Sequence, residues 1–269
     1  MTSNLTAVHI IDNYFINPTN PITVNVIGAG GTGSNVITAL ANIHQSLLAL
    51  DHPGLSVNLF DNDTVSTANL GRQQFTTAEI GLPKAVALIN KENRRIGSNW
   101  KAINKRYDRE LIETTEGRYD ANLTITCVDT VSARMEIADI LKKQSAKQKA
   151  TYVKPMYWMD FGNSQFTGQV ILSTVGNIKQ PNSKKFRTVE SLPFITDEFR
   201  DLLIRSENED DTPSCSLAEA LEKQDLFINA SLAKMGSSLL WSMFRNGMVE
   251  VRGFFLNLKD FRMQPLKVG

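Results

Sequence analysis

The chain has 269 residues, 42% of them hydrophobic, which is enough for a substantial core in one large α/β domain or two small ones. Its formal net charge of +1 argues against bulk electrostatic attraction to nucleic acid, so no direct nucleic-acid binding is expected. No apolar run reaches the roughly 18 residues of a membrane-spanning helix, and no basic stretch with an apolar core opens the chain, so a cytoplasmic protein without a membrane partner is the expectation.

In chain order, Val8–Ile11 reads as an edge strand and Asn17-Pro-Thr-Asn-Pro21 as a turn. Ile22-Thr-Val-Asn-Val-Ile27 is an apolar strand, followed directly by Gly28-Ala-Gly-Gly-Thr-Gly33-Ser34 and a helical pattern from Val36 to Leu50. Val57–Phe60 then reads as a second strand ending on Asp61. A glycine-rich strand-to-helix turn lets a ligand approach the main chain and presents the unpaired N–H groups of the new helix to an anion. Its plain alternative is a tight turn without ligand.

In dinucleotide-binding enzymes the ribose-binding acid follows the glycines by about 20 residues. Asp61 lies 33 positions after Gly28, a length that a longer helix and the loop His52-Pro-Gly-Leu55 accommodate. Beyond it, Asn69, Arg72, Gln73 and Lys84 add amide and cationic groups that hydride transfer does not need and a triphosphate does. The pattern turns helical from Glu79, with Pro83 in its first turn. Lys84 also reads as part of a solvated basic run through Lys91, Arg94, Arg95, Lys101, Lys105 and Arg106. Trp100–Tyr107 is the expected third strand and Leu123–Asp129 the fourth, which brings Asp129 to the same rim as Gly28 and Asp61. Asp129 reads either as a hard ligand for Mg²⁺ or as the N-cap of a helix beginning near Val131. Cys127, two residues earlier, reads as a small core residue.

Tyr152–Trp158 and Gly168–Val175 are two further expected strands, joined by a turn at Asp160-Phe-Gly-Asn-Ser164. A polar loop (Gly176–Arg187), a short helix (Pro193–Ile204) and an acidic run (Ser206–Asp211) come next. Cys215 precedes an expected helix from Leu217 to Arg245, whose dipole favours a thiolate; the ordinary alternative is a partly buried cysteine with no activating histidine. That helix carries a broad apolar surface including Leu226, Phe227, Leu232, Leu240 and Trp241, and Val249–Leu258 closes the pattern as a strand. With only two cysteines no Cys-x-x-Cys pair exists, and His9, His44 and His52 are scattered, so no zinc is expected.

Four stretches in order, the glycine turn, Asp61-Asn-Asp-Thr-Val-Ser-Thr-Ala-Asn-Leu-Gly-Arg-Gln73, Ile80-Gly-Leu-Pro-Lys84 and Cys127-Val-Asp129, resemble the adenylation core of the ThiF/MoeB and ubiquitin-activating-enzyme superfamily. Trp158–Leu172 and Pro213-Ser-Cys-Ser-Leu217 resemble more narrowly the ThiF-type members of bacterial PRTRC gene cassettes. The resemblance implies a Rossmann-like α/β fold of three layers, α/β/α, with a mostly parallel central sheet extended by antiparallel strands in the C-terminal half. It implies one adenylation domain over residues 1–269, with a nucleotide-binding half at about 22–150 and a partner-binding and dimerisation half at about 151–269. It further implies ATP and Mg²⁺, a small ubiquitin-like (β-grasp) protein bound through its C-terminal tail, and a homodimer.

The resemblance assigns Gly28, Gly30, Gly31 and Gly33, with Ser34, Asp63 and Gln73, to nucleotide binding, Asp61 to the ribose, Asn69, Arg72 and Lys84 to the phosphates, Asp129 to Mg²⁺, and Cys215 to a thioester. One departure stands out: family members place an arginine from an N-terminal helix of the partner subunit on the phosphates, whereas no Lys or Arg precedes Arg72 here. Two rival readings remain open, a nicotinamide-dependent oxidoreductase using the same turn and a non-catalytic adaptor retaining the pocket as scaffold.

Overall fold

The structure, a computed structural model, describes residues 5–146, 153–206 and 223–269. Its main sheet has eight strands: β2 (Ile22–Ile27), β3 (Leu55–Phe60), β4 (Lys101–Ile103), β5 (Leu123–Thr126), β6 (Tyr157–Asn163), β7 (Thr167–Thr174), β10 (Val251–Asn257) and β11 (Arg262–Lys267). They lie in the order β11-β10-β7-β6-β5-β2-β3-β4, parallel from β4 to β6 and antiparallel from β6 to β11. The expected extension of a parallel sheet by antiparallel strands is therefore present. A second, three-stranded sheet sets β1 (Thr6–Ile10) between β8 (Phe186–Thr188) and β9 (Met248–Val249), so the first strand is central to this small sheet and not an edge.

Helices close both sides of β2 and β5, so their residues are almost all buried, although Thr23, Asn25, Thr124 and Thr126 alternate with apolar ones. On one face α2 (Gly31–Leu48), α3 (Lys84–Ile96) and α8 (Ile228–Asn246) enclose Val24, Val26, Val57, Leu59, Met159, Val170 and Leu172. On the other, α4 (Arg109–Thr114), α5 (Val131–Ala146) and two short helices, α6 (Ile195–Glu198) and α7 (Arg200–Ser206), cover Ile27, Phe60, Trp158 and Ile171. Local chemistry sets several ends. Asp108 caps α4 by accepting from the Leu111 amide at 2.8 Å, and α3 stops at Gly97, whose φ of 69° is the left-handed cap.

Several sequence expectations move. The reversal after β6 falls at Ser164–Phe166, because β6 keeps pairing with β7 through Asn163, so Asp160, Phe161 and Gly162 are strand residues and not a turn. The last long helix starts at Ile228 among the described residues; the Asp225 carboxylate accepts from the Phe227 amide at 2.8 Å, and this local turn leaves Leu226 and Phe227 outside the helix and exposed. The helix expected from Glu79 starts at Lys84, with Pro83 as its N-cap. Strands β8 and β11 and helix α4 had no counterpart in the periodicity. Among the described residues no helix is long and apolar enough to cross a membrane.

The small sheet is tied to the main one through a fully buried histidine. His9 Nδ1 lies 2.7 Å from the Val189 carbonyl and Nε2 lies 3.1 Å from the Tyr157 hydroxyl, which in turn accepts from the Asp12 amide at 3.0 Å. A carbonyl partner requires a proton on Nδ1, which leaves Nε2 of the neutral ring to accept from Tyr157. Burial lowers the pKa of His9, and that of His44 and His52 as well, against an ordinary value of 6.5. The unfolded chain then takes up these protons first, so stability is fully present above about pH 6.5 and is lost as pH falls below it towards the lowered folded values. The thermal midpoint should fall between pH 7.5 and 5.5, and less steeply in His9→Gln; a flat profile in wild type would contradict neutral buried histidines.

Candidate functional site

The site begins where β2, β3 and β5 end. Gly28 follows β2 with φ of 96°, a left-handed conformation that favours glycine, and its amide donates to the Phe60 carbonyl at 2.9 Å. A β-carbon on Gly28 would lie 2.7 Å from the Cys127 carbonyl oxygen, and one on Gly33 would sit on the Gly28 carbonyl itself. The turn is thus pressed against the end of β5 and folded onto itself. Gly30 caps α2 without any side-chain hydrogen bond, so among the described residues no side-chain cap closes the helix's first turn.

Asp61 locks this turn to the end of β3. One carboxylate oxygen accepts from the Ala29 amide at 2.6 Å and the other from the Asp63 amide at 2.8 Å. Burial raises its pKa, opposed by those two amides and by Lys84. Asp63 pairs with the Lys84 ammonium at 2.8 Å, the lysine side chain being 10% exposed and the carboxylate 62%. Lys84 is therefore tied to the acidic loop, not free on a solvated face. Asn69 accepts from the Ser66 amide at 2.8 Å and closes a short helical turn, and Ser34 accepts from the Gln74 amide at 3.2 Å.

Arg72 donates to Gln224 Oε1 at 2.7 Å, and the same oxygen accepts from Asn229 Nδ2 at 2.7 Å. Asn229 Oδ1 accepts from Thr32 at 2.8 Å, so the C-terminal part of the chain reaches back to the glycine turn. Among the described residues Arg72 Nε and Gln73 Oε1 are buried with no hydrogen-bond partner, and burial lowers the pKa of Arg72. Two orphaned polar atoms beside a glycine turn are a feature that a polar ligand would relieve.

Asp129 follows β5 and is exposed; among the described residues it makes no hydrogen bond or ion pair. The Thr130 hydroxyl accepts from the Ala133 amide at 3.3 Å at the start of α5, so Thr130 and not Asp129 takes the capping role. The loop is held from below by Arg134. Its Nε lies 3.0 Å from Asp160, and its Nη2 donates to the Val128 carbonyl at 2.6 Å and the Phe161 carbonyl at 3.1 Å. Asp160 also accepts from Thr126 at 2.6 Å, whose oxygen takes the Trp158 indole N–H at 2.9 Å. A groove of about 710 Å³ opens beside Asp129, floored by β6, β7, β10 and β11 and walled by α5 and α7.

The model of the ThiF family matches residues 7–267. The chain belongs to the ThiF family. Among solved structures it resembles selenomethionine PaaA (15% identity, TM-score 0.59, covering 92% of this chain and 64% of that one). It also resembles Escherichia coli MccB with ATP (14%, TM-score 0.57, covering 92% and 64%) and E. coli MccB with AMPCPP and MccA (14%, TM-score 0.56, covering 92% and 64%). At such identities the likeness is one of fold, and the chain spans less than two thirds of these proteins' length. No functionally curated protein matches the sequence.

Within this ThiF-family fold, Gly28, Gly30, Gly31, Gly33, Ser34, Asp61 and Asp129 gather at the strand ends, with Asp63, Asn69, Arg72, Gln73 and Lys84 in the loop and helix start beside them. Cys215 lies outside the described residues. Cys127 is partly buried just after β5, and desolvation raises its thiol pKa. Arg134, Asp160, Gln224 and Asn229 escaped the sequence reading, although a lone acid inside Tyr157–Phe161 is a signal of a buried partner.

Two substitutions test this geometry. Gly33→Ala should lower the unfolding free energy by about 1–3 kcal/mol, the cost of overpacking a closed turn, whereas Gly30→Ala, whose β-carbon meets nothing within 4 Å, should cost far less in urea denaturation. Asp160→Ala strands the Arg134 charge and should cost about 3–5 kcal/mol in the same assay.

Proposed function

We propose that this ThiF-family protein uses ATP to adenylate the C-terminal carboxylate of a small protein. The observation that carries the reading is Asp129, a carboxylate unpaired among the described residues, standing between the glycine turn, which packs on Cys127 and Val128, and the groove that leads away across the sheet. The residues present fit ATP as substrate. The uncapped first turn of α2 accepts phosphate, and Asp61 keeps lone pairs for ribose hydroxyls beyond its two amide bonds. Arg72, Gln73, Lys84 and Asn69 supply polar and cationic groups for the phosphates, two of their buried atoms lacking partners.

Asp129 would hold Mg²⁺, which when bound neutralises phosphate charge. In the reaction a carboxylate oxygen of the tail bonds to the α-phosphorus and the bond to the pyrophosphate oxygen breaks. A carboxylate is already ionised near neutral pH, so this chain needs no general base; Arg72 and Lys84 meet the charge that develops on the phosphoryl oxygens. Positioning supplies the rest.

The finer parts of this reading rest on the resemblance. The tail belongs to a ubiquitin-like β-grasp protein, Cys215 takes the acyl group as a thioester with loss of AMP, and the narrower kinship is to PRTRC-cassette members. The chain acts as one adenylation domain, cytoplasmic, and as a homodimer whose exposed Leu226 and Phe227 ahead of α8 offer apolar contact. A second reading, a nucleotide-binding adaptor without catalysis, is favoured by one observation: Arg72 and Lys84 are already held by Gln224 and Asp63.

ATP–pyrophosphate exchange separates the two. Exchange that requires a partner's free C-terminus and falls about 10²–10³-fold in Asp129→Ala, the size of a lost charge-stabilising group, supports adenylation. ATP binding without exchange for any tail-bearing partner supports the adaptor.

A further inference from the structure

The groove beside Asp129 has a built floor. Pairing sets Gly162 opposite Gln169, Gln169 opposite Phe255 and Phe255 opposite Gln264, so these four residues form one row across β6, β7, β10 and β11. Two residues along each strand, on the same face, Thr167, Asn257 and Arg262 form a second row, with Ser164 beside it at the reversal. Side chains of one row share a sheet face, so the floor presents amides and hydroxyls around a single ring, Phe255. That ring is fixed edge-on against Phe199 at 5.4 Å. Gly162 is needed in this floor, since a β-carbon there would lie on the Gln169 amide and 2.9 Å from Arg134 Nη2.

A polar floor of this kind suits an extended backbone, whose N–H and C=O groups need partners, better than a compact apolar ligand. Its length follows from the sheet. From β5, which leads to Asp129, to β11 there are four strand steps of about 4.8 Å, or roughly 19 Å, which an extended chain at about 3.3 Å per residue covers in about six residues.

The two ends differ in charge. At one stands Asp129. At the other stands Arg262, exposed at the start of β11, which forms no ion pair among the described residues, while the nearby Asp260 carboxylate is taken up by the Asn257 amide at 3.1 Å; the remaining cation of the lining, Arg134, is already paired with Asp160.

Resting on the adenylation reading, we propose that the groove selects an extended C-terminal tail that carries an acidic side chain about five residues before its terminal carboxylate, held by Arg262. The terminal carboxylate lies at the Asp129 end, the tail's main chain bonds to Gln169, Gln264 and Thr167, and the acid reaches the free guanidinium at the far end, where Asn257 is held by Asp260. Arg262 is thus a specificity residue, and tails with a basic residue there are rejected by like charge.

The test is direct binding, without ATP, of two fluorescein-labelled hexapeptides with free C-termini, Glu-Ala-Ser-Ala-Gly-Gly and Lys-Ala-Ser-Ala-Gly-Gly, read by anisotropy at low and at physiological salt. The acidic peptide should bind about five- to tenfold more tightly at low salt, the size of an exposed ion pair against a like-charge contact, and R262E should reverse the preference while circular dichroism stays unchanged. A preference that R262E leaves in place, or no binding of either peptide at millimolar concentration, overturns the proposal. Charge-dependent binding without pyrophosphate exchange for any partner would sink the adenylation reading alone. Exchange with a partner that is indifferent to R262E would sink this inference alone.

Discussion

The close approach of two backbones, that of the glycine turn and that of the end of β5, is the constraint on which the rest of the site depends. A β-carbon at Gly28 would lie 2.7 Å from the Cys127 oxygen, so the first and fourth strands of the parallel half can end on one level only because that side chain is missing. With the strands level, Asp61 reaches back to the Ala29 amide and Asp129 emerges beside the turn. Parallel sheets place ligands outside the carboxyl ends of their strands, and here the rim is drawn tight enough for three successive strand ends to share one site.

What holds that rim is polar and buried. Arg134 and Asp160, 5% and 1% exposed, stabilise little as a net ion pair because desolvation offsets most of the attraction. Their role is geometric: one guanidinium fixes the carbonyls of Val128 and Phe161, and so sets the Asp129 loop against the first strand of the groove floor. On the nucleotide side, Gln224 shares one oxygen between Arg72 and Asn229, so the cation proposed for phosphate is positioned by the same residue that anchors α8.

The parallel half was legible in the sequence because its physics is local. Ile22–Ile27 sets Ile22, Val24 and Val26 on one face and runs straight into glycines, and Asp61 and Asp129 each close a strand pattern. The losses have specific causes. Gly162-Asn163 resembles a turn, yet the chain stays extended there because Asp160 must face Arg134, a contact 26 residues away that leaves no periodic trace. Strand β11, Arg-Met-Gln-Pro-Leu-Lys, alternates weakly because it is a mostly exposed edge whose groove face is polar. The apolar run Leu226–Ile228 matches a helix in composition, and a single Asp225 side chain decides that the helix waits until Ile228. Gln224 and Asn229 act across the whole fold, which spacing within one helix cannot reveal.

Asn229 also bears on how the molecule assembles. Its carboxamide packs where a side chain on Gly31 would be and takes the Thr32 hydroxyl, across 197 positions of sequence. Contacts of that separation form late, since the loop entropy they close must be overcome first. A nascent chain that already displays the whole glycine motif lacks the helix against which the motif packs. Until synthesis has passed Asn229, the turn lacks the carboxamide that packs on Gly31 and takes the Thr32 hydroxyl.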